Sequence, residues 1–122
     1  MRLEGNVNKG WGYETIFATN DLYCGKLLTF TKKSAEFSMH FHSNKDETWY
    51  IQTGIFTVTT INTLNAEVDI KVLNPGDTWR NPPLLPHQLK CIEPGSIIEV
   101  STPDSVEDNY RVGKGDSQKG KL

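Results

Sequence analysis

All three histidines of this chain fall in one spaced pattern with a carboxylate. His40 and His42 flank Phe41, Glu47 follows after four residues, and Gly54 follows Glu47 after six. Further along, Gly76, Pro82 and His87 keep an equally regular spacing. Three imidazole nitrogens and one carboxylate oxygen are a mixed donor set that suits Mn, Fe, Co, Ni or Zn. A divalent transition metal is therefore the expected cofactor, with His40, His42, Glu47 and His87 as its ligands. Such a set leaves open positions for water or substrate, and the ion can polarise a carbonyl or hold two vicinal oxygens of a sugar.

These four residues can share an ion only if the backbone points them the same way. On a strand, side chains at i and i+2 share a face. His40 and His42 then project together, with Met39 and Phe41 on the opposite side. A strand opening at Glu47 places that carboxylate with Trp49 and Ile51, where an ionised group is costly unless it is paired or coordinating. His87 shares its face with Leu89 and Cys91.

The rest of the chain supplies strands. Residues 66–73 alternate Val68, Ile70 and Val72 with Glu67, Asp69 and Lys71, the period of a half-buried strand. Residues 55–61 are β-branched or aromatic almost throughout, which suits a pleated sheet. Shorter runs of the same kind occur at 27–31, 37–41, 48–52, 87–92 and 96–101, and none reads as a helix. Asn74-Pro75-Gly76-Asp77 and Glu93-Pro94-Gly95-Ser96 read as type II turns, proline fixing the first φ and glycine accepting the positive one. Thr53-Gly54 and Asn62-Thr63-Leu64-Asn65 read as hairpin connections. The expected fold class is all-β, an antiparallel sandwich or barrel.

At 122 residues the chain fits one domain. The expected domain covers 1–112, and 113–122 has too little to bury and reads as a flexible tail. A formal net charge of −2 gives no electrostatic case for nucleic acid. There is no polybasic segment for a membrane surface, and no run has the length to span a bilayer. The first residues, Met1 to Asn6, lack the apolar stretch of a signal peptide. Cys24 and Cys91 then read as reduced thiols, and a cytoplasmic location is expected.

The spaced ligand set resembles the cupin superfamily. Its first motif, G(X)5HXH(X)3–4E(X)6G, is met by His40, His42, Glu47 and Gly54, with Lys33-Ser34 where the leading glycine turn belongs. Its second, G(X)5PXG(X)2H(X)3N, is met by Gly76, Pro82 and His87. Leu84 stands in place of the internal glycine and Cys91 in place of the final asparagine. The resemblance implies a double-stranded β-helix, the jelly-roll barrel, with the metal inside. Lys9-Gly10-Trp11-Gly12-Tyr13-Glu14 is similar to the opening of the cupin domain in type II mannose-6-phosphate isomerases. The segments 47–54, 98–101 and 107–111 are similar to that family as well. Gly10 replaces its proline, and His40 stands where it usually carries Gln.

That resemblance implies a metal-dependent enzyme of the sugar-phosphate aldose–ketose isomerase kind, acting on a sugar phosphate or related sugar derivative. Glu47, Arg80 and Arg111 are the expected catalytic residues, the two guanidinium groups matching phosphate oxygens as bidentate forks. Lys9, Lys32, Lys33 and Lys45 read as solvated. Trp11, Trp49 and Trp79 are divided between core packing and a sugar-lining role. The alternatives are a metal-dependent cupin dioxygenase or lyase, and a non-catalytic sugar- or metal-binding cupin. Exposed sheet edges need pairing or covering, and a homodimer is expected.

Overall fold

The computed structural model describes residues 5–105 and 107–117, which form eleven strands and no helix. In chain order these are β1 Gly5–Lys9, β2 Gly12–Thr19, β3 Cys24–Phe30, β4 Met39–Phe41, β5 Glu47–Ile51 and β6 Ile55–Ile61. They continue with β7 Val68–Leu73, β8 Thr78–Asn81, β9 His87–Glu93, β10 Gly95–Ser101 and β11 Tyr110–Gly113. One sheet has the order β1-β2-β3-β10-β5-β8 and the other β11-β4-β9-β6-β7, all neighbours antiparallel. The two sheets close as a jelly roll around alternate side chains of each strand.

Register decides which alternate set is buried. Ile97 of β10 is paired with Leu28 of β3 and Ile51 of β5, and all three are sealed from solvent. Trp49, Phe56, Val58, Leu73, Leu89 and Cys91 complete this core. Phe30 stacks on Trp11 at 4.5 Å between ring centroids and meets Phe56 edge-on at 5.0 Å. Each fully buried side chain of this kind contributes roughly 1.5–3 kcal/mol, so the barrel does not depend on an ion to cohere. Cys24 and Cys91 are buried free thiols.

Four sequence expectations change. The alternation in β7 is real, but its apolar face points out: Val68, Ile70 and Val72 are 59%, 69% and 53% exposed. The pairing of Phe56 with Leu73 and of Val58 with Lys71 gives the inner face to the other parity. A period of two shows that a strand has two faces, not which one is covered. Thr53-Gly54 is no hairpin, because β5 and β6 lie in different sheets; it is a corner, with Gly54 at φ +85°. Asn74–Asp77 does form a tight turn, with the Asp77 amide donating to the Asn74 carbonyl at 2.9 Å and Gly76 at φ +91°. Pro94-Gly95 does not, since Gly95 has no positive φ and opens β10. A Cβ there would stand 2.2 Å from the Thr53 carbonyl oxygen, so glycine is needed for close approach.

The last change concerns the tail. β11 runs through Gly113, and the Asp116 amide donates to the Glu36 carbonyl at 2.9 Å. The Gly10 amide donates to Ser117 Oγ at 3.1 Å. Residues 113–117 are thus fastened to the barrel, and 118–122 lie outside the described residues.

Candidate metal centre

β4 and β9 bring the histidines together by pairing His40 with His87. His42 follows two residues after His40, on the same inward parity. One ligand nitrogen from each of His40, His42 and His87 lies within 4.8 Å of the others. The imidazole orientations are fixed from behind. Nδ1 of His40 meets the Ser38 carbonyl at 2.8 Å, Nδ1 of His87 meets the Leu85 carbonyl at 2.9 Å, and Nδ1 of His42 contacts the Asp108 carbonyl. A carbonyl only accepts, so each Nδ1 carries a proton and Nε2 is the ring atom left for the interior.

Burial disfavours the charged form of His40 and His42. It pushes His40 down to about 3, with neighbouring His87 adding to the effect. His42 is lowered as well, by burial first. Nε2 of His87 is buried without a hydrogen bond, although Oε1 of Glu47 stands only 3.0 Å away. A ring nitrogen without a hydrogen bond beside a carboxylate oxygen places two metal donors where one cation could engage both. The donor set and this orphaned nitrogen fit a divalent transition metal, and the three imidazoles form a cluster able to hold one.

Glu47 lies at the edge of that cluster. Its Oε1 accepts from Asn81 Nδ2 at 3.1 Å, and Asn81 Oδ1 in turn accepts from Trp79 Nε1 at 2.7 Å. Its Oε2 is 3.3 Å from Lys45 Nζ. Burial alone would raise the Glu47 carboxyl, but His87 and Lys45 outweigh it and hold the group well below the usual carboxylate range.

Lys45 is the residue most misjudged from sequence. Expected in solvent, it is buried, and its ammonium touches Glu47, Glu99 at 3.3 Å and Asp104 at 3.1 Å. Burial would lower it, yet these three carboxylates raise it well above the ordinary lysine range. Glu99, which also accepts from Trp49 Nε1 at 3.1 Å, is pushed up to about 7 by burial and by neighbouring Glu47. Lys26 extends the network, 2.6 Å from Asp104 and 3.6 Å from Glu14.

His40, His42 and the charge network share one cavity of about 490 Å³, with His87 buried outside its lining. Trp11, Phe37, Leu28 and Ile16 form its apolar wall, while Lys9 and Arg111 stand among its lining residues. Arg111 is there because β11 pairs it with His40, on the inward parity. Arg80 is not. Trp79 and Asn81 take the inner face of β8, so Arg80 points out beside Thr48 and forms a fork on Asp46 at 2.6 and 3.0 Å. Trp49 and Trp79 belong to the packing rather than to the cavity wall.

Asp108 is a residue that spacing did not single out. Its carboxylate accepts from the Ser43 amide at 2.6 Å, Ser43 Oγ at 2.7 Å, and the Asn44 and Lys45 amides at 3.0 Å each. Its carbonyl orients His42. The only sequence signal for it is its place in the 107–111 segment.

Both motif glycines that the sequence lacks have kept their backbone shape. Ser34, six residues before His40, has φ +65°, and Leu84, three before His87, has φ +72°. The Leu84 amide donates to the His42 carbonyl at 2.7 Å, tying the two ligand segments together.

No helix among the described residues is long and apolar enough to cross a membrane. Comparison of the sequence with curated proteins found no match. Among solved structures, oxalate decarboxylase from Bacillus subtilis at pH 4.6 superposes with a TM-score of 0.70 at 22% identity. The match covers 91% of this chain but 29% of that one, so the chain spans less than a third of its length. Another structure of that enzyme, described by its Mn(II) centres, has a TM-score of 0.68 at 18% identity, covering 91% and 29% of the two chains. KdgF from Halomonas sp. has a TM-score of 0.66 at 23% identity, covering 78% of this chain and 81% of that one. The cupin family profile matches residues 3–110. With that match across its length and three imidazoles converging inside a jelly roll, the chain belongs to the cupin family.

Proposed function

We propose that the chain is a metal-dependent cupin enzyme acting on a sugar phosphate or related sugar derivative, with aldose–ketose isomerisation as its reaction. One observation carries this reading: three histidines, each held by a backbone carbonyl, converge, and two of them, His40 and His42, line a cavity of about 490 Å³ that also holds carboxylates and an aromatic wall. His40, His42 and His87 would hold the ion, with Glu47 as the fourth ligand. When bound, the metal supplies Lewis-acid polarisation of a carbonyl oxygen.

The chain's own residues supply the rest. Trp11 and Phe37 offer ring faces against which the apolar side of a sugar packs. Lys26 and Lys45 are each already matched by carboxylates, so a substrate phosphate belongs with Arg111 and Lys9. Moving a proton between adjacent carbons needs a base within hydrogen-bond reach. Glu99 is the buried cavity carboxylate without a ligand role, and Trp49 and Lys45 hold it in place.

The test is turnover of mannose 6-phosphate and other aldose phosphates by protein loaded with Zn, Mn, Fe, Co or Ni. Arg111→Ala is expected to raise KM for the phosphorylated sugar, while Arg80→Ala leaves it unchanged. Oxygen consumption with Fe would assign the chain to the dioxygenases instead. Ligand-induced stabilisation without product would make it a binding protein.

A further inference from the structure

The peptide around His40 is held by unlike rails on its two sides. β4 is three residues long and pairs with β9 through one residue, His40 with His87. β11 pairs with all three, Tyr110 with Phe41, Arg111 with His40 and Gly113 with Met39. Just upstream, the Phe37 amide donates to the Leu89 carbonyl at 2.8 Å on the β9 side. On the other side the chain beyond β11 takes over. The Asp116 amide donates to the Glu36 carbonyl at 2.9 Å, and the Glu36 amide donates to Asp116 Oδ2 at 3.0 Å. Gly115 is buried against the Phe37–Ser38 peptide, where a Cβ would collide with the Ser38 amide. The Gly10 amide donates to Ser117 Oγ at 3.1 Å and pins the far end of this strap to the β1–β2 turn.

Ser38 lies inside the clamp. Its carbonyl accepts from His40 Nδ1 at 2.8 Å, and its Oγ stands 3.2 Å from the same nitrogen. His42 and His87 are oriented by the Asp108 and Leu85 carbonyls instead. Displacing 113–116 would disturb the support of one imidazole and spare the other two.

We propose that residues 113–116 are a working part of the metal centre, with Asp116 a positioning residue for His40 that acts through Glu36 and Ser38. An imidazole can aim Nε2 only as well as the acceptor behind Nδ1 is fixed. Here that acceptor precedes β4 and lies outside the strand, so the ladder of β4 does not hold it. Asp116 fixes Glu36, two residues before Ser38, by giving one hydrogen bond and accepting another. The role needs an acceptor at Oδ2 and not a negative charge. It rests on the metal centre and not on the reaction proposed for it.

Zn(II) affinity, measured by chelator competition, and the visible spectrum of the Co(II) form test this. Asp116→Ala removes the acceptor and is expected to weaken Zn(II) binding about tenfold and to shift the Co(II) bands. Asp116→Asn keeps an amide oxygen for the Glu36 N–H and is expected to hold the parent's affinity and spectrum. Gly115→Val puts a side chain where the Ser38 amide stands and is expected to weaken binding at least as much as Asp116→Ala. Thermal midpoints of the metal-free proteins separate positioning from mere support. Both Asp116 variants are expected to melt close to the parent, because the core contacts are untouched. Parent affinity and spectrum in Asp116→Ala overturn the proposal. So does an Asp116→Asn protein as impaired as Asp116→Ala, or a collapsed metal-free midpoint accompanying the lost affinity. A parent that binds neither ion overturns the metal centre and this proposal with it.

Discussion

Nε2 of His87 and Oε1 of Glu47 stand 3.0 Å apart in the buried interior, while Nδ1 of the same ring meets the Leu85 carbonyl at 2.9 Å. Both atoms are metal donors, and one bound cation would engage the two together. The centre is therefore built for an ion, and its behaviour towards metal is the first thing to measure.

Adding a divalent metal to metal-free protein is expected to raise the thermal midpoint. The gain is about 2.7 kcal/mol when the free ion is at 100 times its dissociation constant. His42→Ala is expected to lose most of the bound metal, read by elemental analysis, while its circular dichroism stays that of the parent. The core around Trp49, Ile97 and Leu89 supports the fold without the ion. Undiminished metal retention in His42→Ala would refute the ligand assignment.

Asp108→Ala removes the four hydrogen bonds that hold residues 43–45 and loosens the carbonyl behind His42. We expect metal affinity to fall about 10–100-fold, the usual cost of a lost supporting contact. Stability should drop by about 2 kcal/mol in a denaturant titration. A variant with normal stability and normal metal affinity would show that the clamp is incidental.

Leu84→Gly and Ser34→Gly are expected to stabilise the protein. Both positions hold a left-handed backbone, which costs a residue with a Cβ roughly 1–2 kcal/mol. Glycine removes that strain but brings an unfolded-state entropy penalty of about 0.5–1 kcal/mol. A net gain of about 0.5–1 kcal/mol per site follows, measured as a shift in denaturation midpoint. Leu84 is 60% exposed, so little packing is lost with its side chain.

The Lys26–Asp104 pair gives stability a pH signature at both extremes. Burial would raise the Asp104 carboxyl, but Lys45 and Lys26 outweigh it and hold the group at about 2. That contribution is fully present above the unfolded value near 3.8 and is lost as pH falls through about 2. Burial would lower Lys26, but Glu99, Glu14 and Asp104 outweigh it and the opposing charge of Lys45, bringing the ammonium to about 12. Its contribution is full below 10.5 and is lost as pH rises through about 12. Asp104→Asn is expected to flatten the stability profile between pH 4 and 2, read from urea midpoints. An unchanged acid limb would remove Asp104 from the account.

Local rules put much of the site on the page before any tertiary contact was known. The two-residue step from His40 to His42 forces one face, and the parity of Glu47, Trp49 and Ile51 forces another, because strand geometry depends on nearest neighbours alone. The tight turn at Asn74–Asp77 follows for the same reason. Sheet register is different, since it depends on partners far along the chain. It turned Val68, Ile70 and Val72 outward, and it sent Arg80 out to Asp46 while bringing Arg111 to the cavity. Lys45 shows the limit most directly. Its sequence neighbours Asn44 and Asp46 suggest solvent, but its burial is stabilised by Glu99 and Asp104, more than fifty residues away. Period two fixes which side chains travel together; only closure of the barrel decides which of them face the ion.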